Sequence, residues 1–123
     1  MPGRPISRRA ALVLLALLAG CASDPWSDYP DSLYESLKED TAEARREHAE
    51  LLGEIIAYSE KKGSRPPPGV HAELAYYQSL LGEKDRVEDL LRREQEIYPE
   101  SAPFVAMMRR MLAGQAPTGG GKP

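Results

Sequence analysis

The side chain with the most chemistry open to it is Cys21, the single cysteine of the chain. It closes the string Leu18-Ala19-Gly20-Cys21. A thiolate is a strong nucleophile, and the small residues Ala19 and Gly20 let a peptidase grip the extended backbone. The string matches a bacterial lipobox. In this reading the Cys21 sulfur takes a diacylglyceryl group, cleavage makes Cys21 the new N-terminus, and a further acyl chain follows. One myristoyl-sized chain holds a protein weakly, whereas two or more anchor it stably. The plainer alternative is an ordinary export signal with a cysteine placed by chance. A basic segment, an apolar run, the small pair and the cysteine all fall in register, which favours lipidation. A lone cysteine forms neither a disulfide within the chain nor a cysteine cluster for zinc or iron–sulfur.

The other reactive side chains are less ordered. His48 is followed by Glu50 and Leu52, and His71 by Glu73 and Ala75, so neither has a second ligand four residues on. Both read as packing or surface histidines. Acids alternate with bases, as in Glu43 and Glu47 beside Arg45 and Arg46, the pattern of a solvated helix face. No carboxylate pair stands out for acid–base work. Ser32, Ser59, Ser79 and Ser101 lack a nucleophile-elbow motif, and Gly119–Gly121 lies in a tail rather than a phosphate loop. The expectation is a protein without catalysis, metal or cofactor beyond the lipid on Cys21. Candidate interface residues are Tyr76, Tyr77, Met107, Met108 and Met111. Adjacent helical positions point about 100° apart, so if Tyr77 enters the core, Tyr76 lies at a groove or an edge. The methionines suit an adaptable docking surface or the closing of a last helix onto the core.

The elements that must position these residues follow from periodicity and breakers. Residues 1–20 are a signal peptide: a basic start to Arg9, then the apolar run from Ala10 to Ala19. Ten residues are too few to span a bilayer, which takes about 20, but they suit an export signal. Residues 21–30 read as a lipidated tether, with Pro25, Pro30 and no periodicity. Aspartate comes only at Asp24, not directly after Cys21, which points to the outer membrane.

Residues 31–113 form the helical body. Ser32 and Glu35 have capping-box spacing at a helix start, followed by an apolar stripe of Leu33, Tyr34 and Leu37. Asp40 and Glu43 repeat that spacing before a helix to about Lys62, with Ala44, Leu51, Leu52, Ile55, Ile56 and His48 in one row. Whether Ser32 to Lys62 is one bent helix or two stays open. Gly63 fits a left-handed C-terminal position. Pro66 to Pro68 is a stiff connector, preferred over a docking segment because it is short and joins two helices. A third helix spans Val70 to Leu81, Gly82 closes it, and a fourth runs from Asp85 to Pro99. Ser101 caps a last helix bearing Phe104, Met107, Met108, Met111 and Leu112. Residues 114–123 hold no core former and read as a disordered tail.

Removing residues 1–20 takes away three of the 16 basic side chains and none of the 19 acids, leaving a body of net −6. That balance argues against a nucleic-acid partner, which needs a concentrated basic face, and against adsorption to anionic lipid by charge.

The stretch Pro68 to Ser101 has the spacing of a tetratricopeptide repeat, a 34-residue helix–turn–helix unit. Leu74, Ala75, Gly82, Val87, Leu91 and Pro99 fall at its positions, while Gln78 and Glu94 replace the usual tyrosine and alanine. The fold class expected is all-α, with antiparallel repeat-like hairpins and four to five helices. From Trp26 to Leu112 the chain also resembles the bacterial lipoproteins grouped as domain of unknown function 4810. Tyr29-Pro30-Asp31-Ser32-Leu33-Tyr34, Pro67-Pro68-Gly69, Ala72-Glu73-Leu74-Ala75-Tyr76, Gly82 and Tyr98-Pro99-Glu100-Ser101 carry the resemblance. It implies an outer-membrane lipoprotein facing the periplasm. The partners it implies are a curli-secretion-channel-like lipoprotein and a second small lipoprotein, with no catalytic residue. The function expected is an adaptor in an envelope assembly. The alternatives are a pilotin-like chaperone for a secretin or channel subunit, and an envelope enzyme acting on peptidoglycan.

Overall fold

The computed structural model describes Gly3 and residues 23–114. The expected lipobox Leu18, Ala19, Gly20 and Cys21, the rest of the expected signal peptide apart from Gly3, and the expected tail beyond Gly114 lie outside the described residues. Within them the fold is all-α. Five helices follow in order: α1 (Tyr29–Glu39), α2 (Ala42–Lys61), α3 (Val70–Leu80), α4 (Val87–Ile97) and α5 (Ala102–Gly114). Short 3₁₀ turns at Pro25–Asp28, Lys84–Arg86 and Pro99–Ser101 lead into α1, α4 and α5. Each helix packs on the one before it, and α3 also touches α5.

The centre is α3, with seven of its eleven residues buried, too many for a one-sided surface helix. Ala72 and Ala75 are wholly buried, and their small side chains let neighbouring helices close in on it. Around them pack Leu52 and Ile55 of α2, Leu90 and Leu91 of α4, and Val105, Met108 and Leu112 of α5. Each such side chain contributes about 1.5–3 kcal/mol through the area it removes from water.

The breaks follow backbone chemistry. Residues 32–62 form two helices, not one. Asp40 takes a left-handed conformation (φ 50°) and ends α1. Thr41, rather than Asp40, caps α2: its Oγ1 accepts the Ala44 N–H at 3.1 Å. Gly63 (φ 67°) ends α2 in the left-handed conformation that glycine adopts without strain. The proline connector is anchored as well as stiff. Pro66 is buried, and its carbonyl accepts the Tyr98 hydroxyl at 2.6 Å, tying the start of the hairpin to its end.

Three local expectations are corrected. Residues 25–30 are not part of an irregular tether: Pro25 to Pro30 is helical and packed, with the Trp26 ring stacked on Tyr29 at 4.5 Å. Ser32 does not cap α1. The helix begins at Tyr29, where Pro30 is tolerated in the first turn, and Ser32 sits inside it. Ser101 caps nothing ahead of it; its hydroxyl donates back to the Tyr98 carbonyl at 2.6 Å and closes the end of α4.

Candidate functional site

The expected stripe on α1 is not the buried face. Tyr34 and Leu37 are 63% and 68% exposed. What faces inward is Tyr29, Ser32 and Ser36, three polar side chains on one side of the helix. Ser32 Oγ lies 2.8 Å from His48 Nδ1, and Ser36 Oγ 2.8 Å from the Tyr77 hydroxyl. His48 Nε2 lies 2.8 Å from Glu73 Oε1. The Tyr29 hydroxyl donates to Glu73 Oε2 at 2.7 Å. A carboxylate only accepts, so the imidazole donates from Nε2, and in the neutral ring Nδ1 receives the Ser32 O–H. Burial, then the Glu73 carboxylate, push the Tyr29 phenol above its ordinary range. Burial does the same to Tyr77, against the effect of its hydrogen bond with Ser36.

Serine, histidine and glutamate in hydrogen-bonded series invite comparison with a nucleophile–base–carboxylate relay. The same series also does structural work. His48 is wholly buried, edge-on to Tyr77 at 4.8 Å and tilted to Tyr29 at 5.6 Å. Both its ring nitrogens are already engaged. The cluster locks three helices together: α1 supplies the hydroxyls, α2 the imidazole and α3 the carboxylate. It therefore fixes where the N-terminal end of the chain leaves the body.

A second buried pair lies on the far side of α3. Glu94 of α4 is 1% exposed. Its Oε1 accepts the Gly69 N–H at 2.6 Å, at the cap of α3. Gly69 holds φ 92° and has no side chain to cap with, so the carboxylate from the next helix takes that role at the positive end of the helix dipole. His71 is 3% exposed, and its Nδ1 stands 3.9 Å from Glu94 Oε2, with neither atom hydrogen-bonded. Burial lowers the His71 pKa, and the Glu94 charge opposes that shift.

The candidate interface residues divide. Tyr77 and Met108 are buried and belong to the core, so neither is available as a docking residue. Their rows explain it: Tyr77 shares a face with Val70 and Leu74, and Met108 with Val105 and Leu112. Tyr76 is half-buried, edge-on to Tyr77. Met107 and Met111, with Phe104, stand on the outer face of α5 at 46%, 41% and 44% exposure. Arg109 holds α5 against α4, its Nε donating to both carboxylate oxygens of Glu88 at 2.9 and 3.0 Å.

Sequence spacing missed Glu73 and Glu94 as histidine partners, because each comes from a different helix. Glu94 carried a signal nonetheless, since it continues the apolar row of Leu90 and Leu91. Among the described residues no group of three His, Cys, Asp or Glu side chains could hold a metal ion, and no helix is long and apolar enough to cross a membrane.

Neither curated proteins nor solved structures return a match to the chain. Residues 25–108, from the first 3₁₀ turn to the buried Met108, match the family described as Domain of unknown function (DUF4810). That span takes in both buried polar clusters and all of α1 to α4, and the chain belongs to the DUF4810 family.

Proposed function

We propose that the protein is a lipid-anchored adaptor of the bacterial outer membrane, facing the periplasm and holding a partner in an envelope assembly. The observation that carries this reading is the outer face of α5. Phe104, Met107 and Met111 form an exposed apolar stripe on a helix whose opposite face is already spent on the core. Exposed apolar side chains grouped in one stripe mark contact surfaces, and methionine adapts to irregular partners. The lipobox at Leu18 to Cys21 supplies the anchor. The tetratricopeptide spacing of α3 and α4 supports an interaction role. The partner implied by the family resemblance is a curli-secretion-channel-like lipoprotein.

The test is a pull-down from envelope membranes with three proteins: the acylated chain, a Cys21→Ala control, and a chain carrying Phe104→Ser, Met107→Ser and Met111→Ser. The expected result is one channel-like lipoprotein recovered with the acylated chain and lost with both others. Equal recovery with the α5 variant removes that face from the interface. No stable partner, together with a channel subunit mislocalised on deletion of the protein, indicates the pilotin-like role instead.

A further inference from the structure

A groove of about 430 Å³ runs along α3 between α2 and α4, on residues other than the exposed stripe of α5. His71, Leu74, Gln78 and Leu81 form its floor at near-helical spacing. Arg46, Glu50 and Gly53 stand on one wall, Arg86, Asp89 and Arg93 on the other. The Arg93–Glu60 ion pair, 3.3 Å, bridges the walls near His71.

Gly53 is the anomaly. It lies in the middle of a 20-residue helix with no left-handed backbone to justify it. Only proline is a worse helix former. A methyl group built on its Cα meets no atom within 4 Å, so internal packing does not demand a glycine either. A bare backbone on a groove wall is what close approach of another main chain requires. Gln78 faces the same space. Its half-buried amide makes no hydrogen bond among the described residues, leaving both a donor and an acceptor free. That pair complements one peptide bond. His71 borders the groove from the buried pair whose Nδ1 and Oε2 are both unsatisfied.

We propose that this groove binds an extended peptide segment of a partner protein, its main chain lying against Gly53 and read by the amide of Gln78. Charge supports that occupant. Both signs line the walls, and Arg46, Arg86, Glu50 and Glu83 have no ion-pair partner among the described residues. A nucleic acid or phosphate would call for one sign; a polypeptide of mixed charge meets both. Length agrees too. The floor from His71 to Leu81 rises about 15 Å along the helix, the span of about four to five extended residues. Leu81, half-buried at one end of the floor, offers apolar contact to a side chain of such a segment. The inference holds whichever face of α5 is used, and it gives the adaptor a second, separate contact.

The experiment selects peptides from a phage-displayed random dodecapeptide library on the full-length protein in detergent micelles. The selected peptides are then measured by fluorescence anisotropy against variants. Gly53→Ala should raise the melting temperature by about 4 °C and yet weaken the peptides severalfold. Gln78→Ala should weaken them about tenfold, Gly53→Leu should abolish binding, and Met107→Ser should leave it unchanged. The Gly53→Ala variant keeps the test sound if the leucine variant misfolds. Peptides that bind Gly53→Ala and Gln78→Ala as tightly as the wild type overturn the proposal, as does a library that yields none. Peptides lost with Met107→Ser instead overturn the groove and leave the α5 adaptor reading standing.

Discussion

Glu94 shows what one buried charge does in a small helical core. Its Oε1 caps α3 across the helix–helix boundary, while Oε2 faces an unpaired imidazole nitrogen. An amide at this position keeps the acceptor and adds a donor for His71 Nδ1. Glu94→Gln should therefore leave stability within about 0.5 kcal/mol of wild type or raise it, whereas Glu94→Ala should lower it by about 2 kcal/mol by orphaning the Gly69 N–H. Urea melts of the two variants decide this. His71 makes a pH prediction. Burial puts its folded pKa below the ordinary value of 6.5. Below about pH 6.5 the unfolded chain takes up a proton that the folded chain refuses, so stability falls as pH drops towards the folded value. The Arg93 charge adds to the lowering, while Glu94 and Glu60 oppose it. His71→Gln should show a smaller loss of urea midpoint between about pH 7.5 and pH 5.5 than the wild type. An equal loss would assign the slope to other groups.

At the scale of elements, α1 is attached by hydroxyls rather than by an apolar stripe. Periodicity could not show this, because the rule that places Leu33, Tyr34 and Leu37 inward assumes that apolar side chains do the docking. Ser32 and Ser36, four residues apart, do it instead by meeting His48 and Tyr77. Removing either hydroxyl strands a buried polar partner at about 1–3 kcal/mol. In the double variant Ser32→Ala, Ser36→Ala the amides of α1 should exchange at least tenfold faster while those of α3 keep their protection, as read by hydrogen exchange. Uniform loosening of both helices would mean that α1 is not a separable unit. The other helices were legible because glycine and proline mark their ends. Gly63, Gly82 and Pro99 each stand at a helix boundary, and the apolar rows of α2 and α4 face the core. Caps were less legible: an aspartate and a threonine side by side at 40 and 41 both suit a cap, and only the left-handed backbone of Asp40 assigns it to Thr41.

For the whole molecule, the sequence carried the all-α class and the family, since both depend on patterns within single segments. It did not carry the site. His48 with Glu73 and His71 with Glu94 are separated by more than twenty residues and meet only when α2, α3 and α4 stack. Gly53 was visible as a glycine in a helical row, but its meaning needed the groove beside it. Tyr77 and Met108 were ambiguous because each adjoins a residue of the same type, Tyr76 or Met107, that points elsewhere.

The folded body thus combines a fixed N-terminal exit, set by the Ser32–His48–Glu73 lock, with an apolar face on α5 at its other end. In-cell photo-cross-linking tests that arrangement most directly. p-Benzoylphenylalanine is placed at Met107 in the full-length chain, with the same probe at the exposed Glu43 of α2 as control. An adaptor should give one envelope-protein adduct from Met107, none from Glu43, and none from Met107 once Cys21→Ala removes the proposed anchor site. No adduct from Met107, or the same adducts from both positions, would contradict it.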